Sequence, residues 1–248
     1  MRETLTDFFL PVLCAGCRAP MERGANFCED CAQSLICISN FRCSVCGARA
    51  PEGKTCHSGS LSILSATRFD LPGVAELVHR LKFSRATSAA PSVGTILAAA
   101  LLKHPDIIRG ASLVPIPLSR KRLKERGYNQ AHLIAAVVSE TTGLPLLLDA
   151  LVRTRDTEAQ TLLSPDKREE NVADAFAVTA AVSGKKIILI DDVTTTGATL
   201  LAAARTLRLA HARPVVAAVF AAAASSRICP PPIEPLAMSP SADSRCNG

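Results

Sequence analysis

The 248-residue chain is 48% hydrophobic and only 4% aromatic, with no Trp, a single Tyr and a formal net charge of +6. Its length holds one α/β domain of roughly 150 residues plus a small appendage, and no uninterrupted apolar run reaches the roughly 18 residues that a membrane-spanning helix needs. The first 65 residues balance in charge, so the basic excess lies beyond them; so mild a bias suits a phosphate-rich small molecule or a nucleic acid and does not choose between them.

Met1 to Leu13 carry Arg2, Glu3 and Asp7 before a short apolar run. That is a poor match to a secretory signal. The segment is read as an apolar strip under the first cysteine pair, and the protein as cytoplasmic, without a membrane span. Eight of the 10 cysteines fall between Cys14 and Cys56. In a signal-less chain with a large α/β domain this pattern favours metal over disulfides. Cys14-x-x-Cys17 and Cys28-x-x-Cys31 stand ten residues apart, the spacing of a tetrahedral Zn²⁺ site. Four thiolates leave no position for water, so this zinc is structural. Cys43-x-x-Cys46-Gly47 is a second turn of the knuckle type, with Cys56 as its next ligand candidate. His57 or Cys37 are alternatives for completing it. The second site being empty, or Cys14/Cys17 pairing with Cys43/Cys46, are other open readings. So are redox-active or merely reduced cysteines. Cys229 and Cys246 receive no role.

Three regions separate: a Cys-rich zinc-binding module over 1–60, a larger domain over 61–223, and a Pro/Ser-rich tail over 224–248 whose composition predicts disorder. Within the larger domain, Ser65 to Phe69 reads as a strand, and Gly73 to Phe83 and Ser88 to Lys103 as helices. Ser112 to Ile116 is a strand and Asn129 to Thr141 a helix stopped by Gly143 and Pro145. Residues 153–174 form a long polar excursion. Lys186 to Ile190 is a strand, Ala198 to His211 a helix and Pro214 to Ala221 a strand. Strands alternating with helices predict an α/β fold with a mostly parallel sheet flanked by helices.

The segment from Ile187 to Thr199 carries the chemistry. Four apolar residues make a buried strand, two carboxylates follow at its C-terminal end, and a small-residue turn enters a helix. Ligands of open α/β sheets sit there. The turn spans Thr194, Thr195, Thr196, Gly197, Ala198 and Thr199. Its backbone N–H groups, its hydroxyls and the helix dipole suit a phosphate. Asp191 and Asp192, with Val193 behind them, suit the vicinal hydroxyls of a ribose or a Mg²⁺-associated sugar. Phosphate and ribose on adjacent elements describe a ribose 5-phosphate. The rival reading is an ordinary strand–loop–helix junction with Asp and Thr as cap and turn residues.

This segment resembles the phosphoribosyl pyrophosphate motif of type I phosphoribosyltransferases. Further stretches narrow the resemblance: Val114-Pro115-Ile116-Pro117 with Arg120; Arg126-Gly127-Tyr128-Asn129-Gln130; and Arg153-Thr154-Arg155 leading to Gln160, Leu163, Arg168, Asn171 and Ala175-Phe176. With the cysteine pairs, they look like the ComF family of competence protein F-like phosphoribosyltransferases, over residues 8 to about 223. The resemblance implies a type I phosphoribosyltransferase fold (Rossmann-like) behind a zinc module. It implies binding of phosphoribosyl pyrophosphate or a related nucleotide with Mg²⁺, and transfer of the phosphoribosyl group to an acceptor that no residue specifies. It places the pyrophosphate loop at 115–122, where Arg120, Lys121, Arg122, Lys124 and Arg126 give a dense run of cations; a solvated basic face is the bland alternative. It makes Tyr128, Asn129 and Gln130 pocket lining, although Asn129 also reads as a helix cap and Tyr128 as a core filler. The excursion becomes a hood, with Arg153, Arg155, Gln160, Lys167, Arg168 and Asn171 as candidate contacts, excluding water from an oxocarbenium-like state. The family name adds a second reading: a factor of DNA uptake whose partners are single-stranded DNA or DNA-processing proteins.

Overall fold

The computed structural model describes residues 12–21, 25–37, 39–49, 54–55, 57–83, 87–154 and 175–223. In chain order the strands are β1 (Val12–Leu13), β2 (Pro20–Met21), β3 (Asn40–Cys43), β4 (Ser62–Arg68), β5 (Ala111–Pro115), β6 (Leu151–Arg153), β7 (Phe176–Val178), β8 (Lys186–Thr194) and β9 (Val215–Ala222). The helices are α1 (Glu29–Cys37), α2 (Val74–Phe83), α3 (Ala90–Leu102), α4 (Pro105–Ile108), α5 (Arg120–Arg126), α6 (Gln130–Thr142) and α7 (Ala198–Leu209).

Isoleucine and leucine on β8 and a solid apolar run on β9 make strands buried on both faces, as parallel strands must be. They sit at the middle of a five-stranded sheet ordered β3-β4-β9-β8-β5. β4, β9, β8 and β5 run parallel, and β3 pairs antiparallel with β4. Side chains alternate across the sheet. Leu64, Ile188, Ile190 and Phe220 face a core closed by α1, α2, α3 and α6. Ile63, Ile187, Leu189 and Val219 face a second core closed by α7. β9 is rich in alanine, a weak strand former, and every residue of it is buried. Its stability therefore comes from packing on both faces. A β-carbon on Gly94 of α3 would lie 2.4 Å from that of Val137 on α6, so glycine sets how closely these two helices approach.

The predicted elements are present with shifted ends, and three features depart from expectation. The Cys-rich segment is not a separate appendage. Its β3 is an edge strand of the main sheet, Lys103 Nζ donates to the Ile36 carbonyl at 2.9 Å, and Phe41 meets the His104 ring edge-on at 4.9 Å. Secondly, the basic run 120–126 is a helix. Thirdly, β8 runs past Ile190 to Thr194, because Asp191, Val193 and Thr194 continue the ladder against Val219, Ala221 and Ala222. β6 and β7 pair antiparallel and form the stem of the polar excursion. Arg155, Gln160, Lys167, Arg168, Asn171 and most of the predicted hood lie outside the described residues, as do Cys56 and the tail. No helix among the described residues is long and apolar enough to cross a membrane.

Candidate functional site

The two cysteine turns share one backbone design. Cys14 and Cys43 each donate N–H to the alanine five residues on, at 2.9 Å, and each carbonyl accepts from the residue four on, Arg18 at 3.0 Å and Gly47 at 2.9 Å. That last residue is left-handed in both turns, with φ +71° at Gly47 and +65° at Arg18. Amides in such turns point at sulfur. Burial opposes ionisation of Cys14, but the N–H groups of Cys28, Cys17 and Gly16 outweigh it and bring the thiol down to about 6. Burial likewise opposes Cys43, and the amides of Cys46 and Val45, with Ser60 and His57, bring it down to about 5. Cys31 is pushed up by burial and then by the neighbouring thiols.

The ligand atoms of Cys14, Cys17, Cys28 and Cys31 all lie within 4.8 Å of one another. Cys17 and Cys28 Sγ are 3.7 Å apart, close to the roughly 3.8 Å between sulfurs in a tetrahedron with Zn–S bonds of about 2.3 Å. Four sulfurs so close cannot all ionise without a cation among them, so the set fits a structural Zn²⁺. This arrangement removes the option of pairing Cys14/Cys17 with Cys43/Cys46. In the second turn, Cys43 and Cys46 converge with His57, one of the two alternatives open in the sequence. Gly73 joins this region to α2: a β-carbon there would lie 2.4 Å from the Ala15 carbonyl oxygen, and its φ is +77°.

At the C-terminal end of the sheet, β8 delivers Asp191 and Asp192, and Thr195, Thr196 and Gly197 make the turn into α7. Gly197 caps the helix at φ +78°, a conformation glycine adopts without penalty. The first amides of α7 have no intrahelical acceptor; that of Ala198 meets Thr196 Oγ1 at 3.4 Å. Thr195, Thr196 and Ala198 are exposed, Thr199 and Val193 half-buried, and Thr194 buried. The turn thus presents N–H and O–H donors to solvent at the positive end of a helix.

The acidic pair is not symmetrical. Asp191 is half-buried, and its Oδ1 accepts from the Asp192 N–H at 2.9 Å. Burial holds its carboxyl well above the usual range, the charge of Asp192 adds to this, and Lys82 opposes it. The Asp192 side chain is only 4% exposed, and its Oδ2 lies 3.0 Å from Lys82 Nζ. That oxygen takes no hydrogen bond from a described residue. Lys82 projects from the end of α2. In the sequence it reads as an ordinary basic residue in the last turn of a helix, and nothing local signals its partner.

Lys82 also lines an open cleft of about 840 Å³, with Val193 and Thr195 of the loop, Arg122, Glu125 and Arg126 of α5, and Phe69, Val78, His79 and Phe83. α5 begins at Ser119, whose Oγ accepts from Arg122 N at 3.3 Å, and stops at left-handed Gly127. The helix aims Arg122 and Arg126 at the loop; Arg120, Lys121 and Lys124 are exposed and outside this lining. The Arg126 guanidinium lies 5.4 Å over the Phe83 ring and donates to Gln130 Oε1 at 3.0 Å. Tyr128 donates its hydroxyl to the Leu81 carbonyl at 2.7 Å. Asn129 caps α6 by accepting from Ala131 N at 3.0 Å, and donates to the Ile116 carbonyl at 2.9 Å. These two residues thus anchor the cleft walls. Pro115 ends β5. Arg153 stays on the hood stem, its guanidinium 5.6 Å over the Phe176 ring.

Comparison with known proteins agrees with this geometry. Residues 5–59 match a double zinc ribbon domain and residues 123–230 a phosphoribosyl transferase domain. The chain is 31% identical over 209 residues to the DNA utilization protein YhgH of Escherichia coli (strain K12), covering 80% of this chain and 91% of the relative. It is 27% identical over 207 residues to Competence protein F of Haemophilus influenzae, covering 79% and 84%. It is 38% identical over 204 residues to Competence protein ComFC of Bacillus subtilis (strain 168), covering 73% and 77%. Among solved structures, it is similar to an allosteric regulatory enzyme of purine biosynthesis at 21% identity and a TM-score of 0.41, over 58% of this chain and 30% of that one, a likeness too slight to carry weight. With the zinc ribbon, the parallel sheet and the acidic loop in one chain, this protein belongs to the ComF family: a phosphoribosyltransferase-type domain joined to an N-terminal double zinc ribbon.

Proposed function

We propose that the protein binds phosphoribosyl pyrophosphate at the C-terminal ends of β8 and β9 and transfers its phosphoribosyl group to an acceptor. One observation supports this most: β8 carries the half-buried Asp191 and leads directly into the donor-rich turn Thr195–Thr196–Gly197 at the positive end of α7. The turn suits the 5′-phosphate, and Asp191 suits the ribose hydroxyls as a hydrogen-bond acceptor. Across the cleft, Arg122 and Arg126 are poised for the diphosphate that leaves as the bond to the anomeric carbon breaks, where fixed cations favour developing negative charge. Mg²⁺ fits here as a companion of the diphosphate, whose oxygens would supply most of its shell, because Asp192 is already paired with Lys82. Bound in that way it would neutralise charge on the leaving group. The reading places residues 61–223 as the ligand-binding domain and the zinc ribbon as its structural partner.

Calorimetric titration of phosphoribosyl pyrophosphate with Mg²⁺ into the zinc-loaded protein tests this. Micromolar binding is expected, falling by about tenfold or more in Asp191→Asn, the loss expected when a hydrogen-bond acceptor of the sugar hydroxyls is replaced by an amide. A folded wild type that binds nothing sinks the proposal.

A second reading draws on the relatives' names, which speak of DNA utilization and competence, and on the exposed Arg120, Lys121 and Lys124 of α5. The chain would then handle single-stranded DNA, its affinity falling steeply with salt. Charge reversal at these three positions, leaving Arg122 and Arg126 intact, is expected to abolish that affinity and spare phosphoribosyl pyrophosphate. DNA affinity insensitive to salt or to these changes rules this reading out.

A further inference from the structure

We infer that Lys82 is a positioning residue for the sugar: it acts through Asp192, fixing the acidic pair so that Asp191 can grip the ribose hydroxyls, and it is not a ligand of the diphosphate. This rests on the phosphoribosyl reading above. Asp192 is buried at the strand end, and among the described residues Lys82 is the cation within ion-pair distance of it, at 3.0 Å. A buried carboxylate without such a partner is strongly unfavourable. Its Oδ2 has no hydrogen bond to fall back on. The position of Asp192 passes directly to its neighbour, since the Asp192 N–H is held by Asp191 Oδ1.

The anchor behind Lys82 is firm. Leu77, Val78 and Leu81 of α2 are buried in the core, and the Leu81 carbonyl is tied to the Tyr128 hydroxyl. Lys82 is therefore presented from a rigid helix. Arg122 and Arg126, on the same cleft, carry no acidic partner at ion-pair distance among the described residues. They remain available for an anionic leaving group. Lys82 does not.

The test is calorimetric titration of ribose 5-phosphate and, separately, of Mg²⁺-pyrophosphate into full-length, zinc-loaded protein. The variants are Lys82→Met, Asp192→Asn, the double variant and Lys82→Arg, each checked for folding by thermal melting. Lys82→Met is expected to weaken ribose 5-phosphate by about tenfold or more and pyrophosphate by less than about twofold, an order-of-magnitude expectation for a lost supporting contact. In the Asp192→Asn background the same change should add less than about twofold, because residues acting as one unit are not additive. Lys82→Arg, which keeps the charge, should restore sugar affinity to within about threefold of wild type. If Lys82→Met cannot fold, the double variant and Lys82→Arg still decide the matter. Loss of pyrophosphate affinity with the sugar spared overturns the inference. An equal effect of Lys82→Met with and without Asp192 also overturns it. A wild type that binds neither ligand overturns the phosphoribosyl reading itself, and this inference falls with it.

Discussion

The two ends of the molecule solve the same electrostatic problem in different ways. In the zinc ribbon, Cys14 is served by the Cys28 amide from the facing turn and by the Gly16 and Cys17 amides two and three residues on. The ligands of this set come as two Cys-x-x-Cys pairs within eighteen residues of chain, and the set is closed once its ion is bound. At the ligand end, the charge on Asp192 is met by Lys82 from a different helix, more than a hundred residues earlier, while Asp191, Arg122 and Arg126 keep binding capacity to spare. Under the proposed function, the contrast separates a region made to hold its shape from one made to receive a ligand. It also shows that a buried charge in the second region depends on the whole fold.

The joint between the regions is where this comparison can be broken. Removing zinc with a strong chelator, or replacing Cys14 by Ser, is expected to cost more than about 3 kcal/mol, because ion binding is coupled to folding. Since β3 is part of the main sheet, the whole chain should melt earlier, in one transition. Two separate transitions by calorimetry, with β4 amide protection unchanged, would mean that the ribbon is an independent appendage. Gly73→Ala should cost about 2 kcal/mol, both from its left-handed φ and from the clash with Ala15; chemical denaturation measures this. Arg208 donates to the Gly59 and Ser60 carbonyls at 3.0 and 2.9 Å and pins the second knuckle to α7. It is half-exposed, so Arg208→Ala should cost only about 1 kcal/mol. The smallest effect sharpens the parallel between the two turns. Arg18→Gly should stabilise by about 0.5–1 kcal/mol, because Arg18 holds the left-handed position that Gly47 occupies in the other turn. An unchanged midpoint of denaturation would mean that the two turns are not equivalent.

What could be read from the residues in order was what local chemistry specifies. The run Ile187 to Ile190, the acidic pair and the turn into α7 are contiguous, and each signal supports the next. Spacing pointed to the first cysteine set but left pairing with Cys43/Cys46 open until the fold brought Cys14, Cys17, Cys28 and Cys31 together, and His57 was legible as one of two alternatives. β3 was not legible: Asn-Phe-Arg-Cys has little strand pattern, and it is ordered by pairing with β4. α5 was not legible either: the resemblance implied a loop over 115–122, and the helix, which has no buried residue, is defined by its caps Ser119 and Gly127. Tyr128 and Gln130 looked like pocket residues, and the fold uses them to hold α2 and Arg126. Lys82 left no trace in the sequence, since its role depends on a partner that only the parallel sheet brings near.

The location of the ligand is tested most directly by amide hydrogen exchange of the zinc-loaded protein with and without Mg²⁺ and phosphoribosyl pyrophosphate. Binding at the end of β8 should slow exchange at Thr195 to Thr199, where the helix amides lack internal acceptors, with little change around His57, Arg208 and Arg213 at the opposite end of the sheet. Slowing confined to that opposite end, with the turn before α7 unchanged, would contradict the phosphoribosyl site.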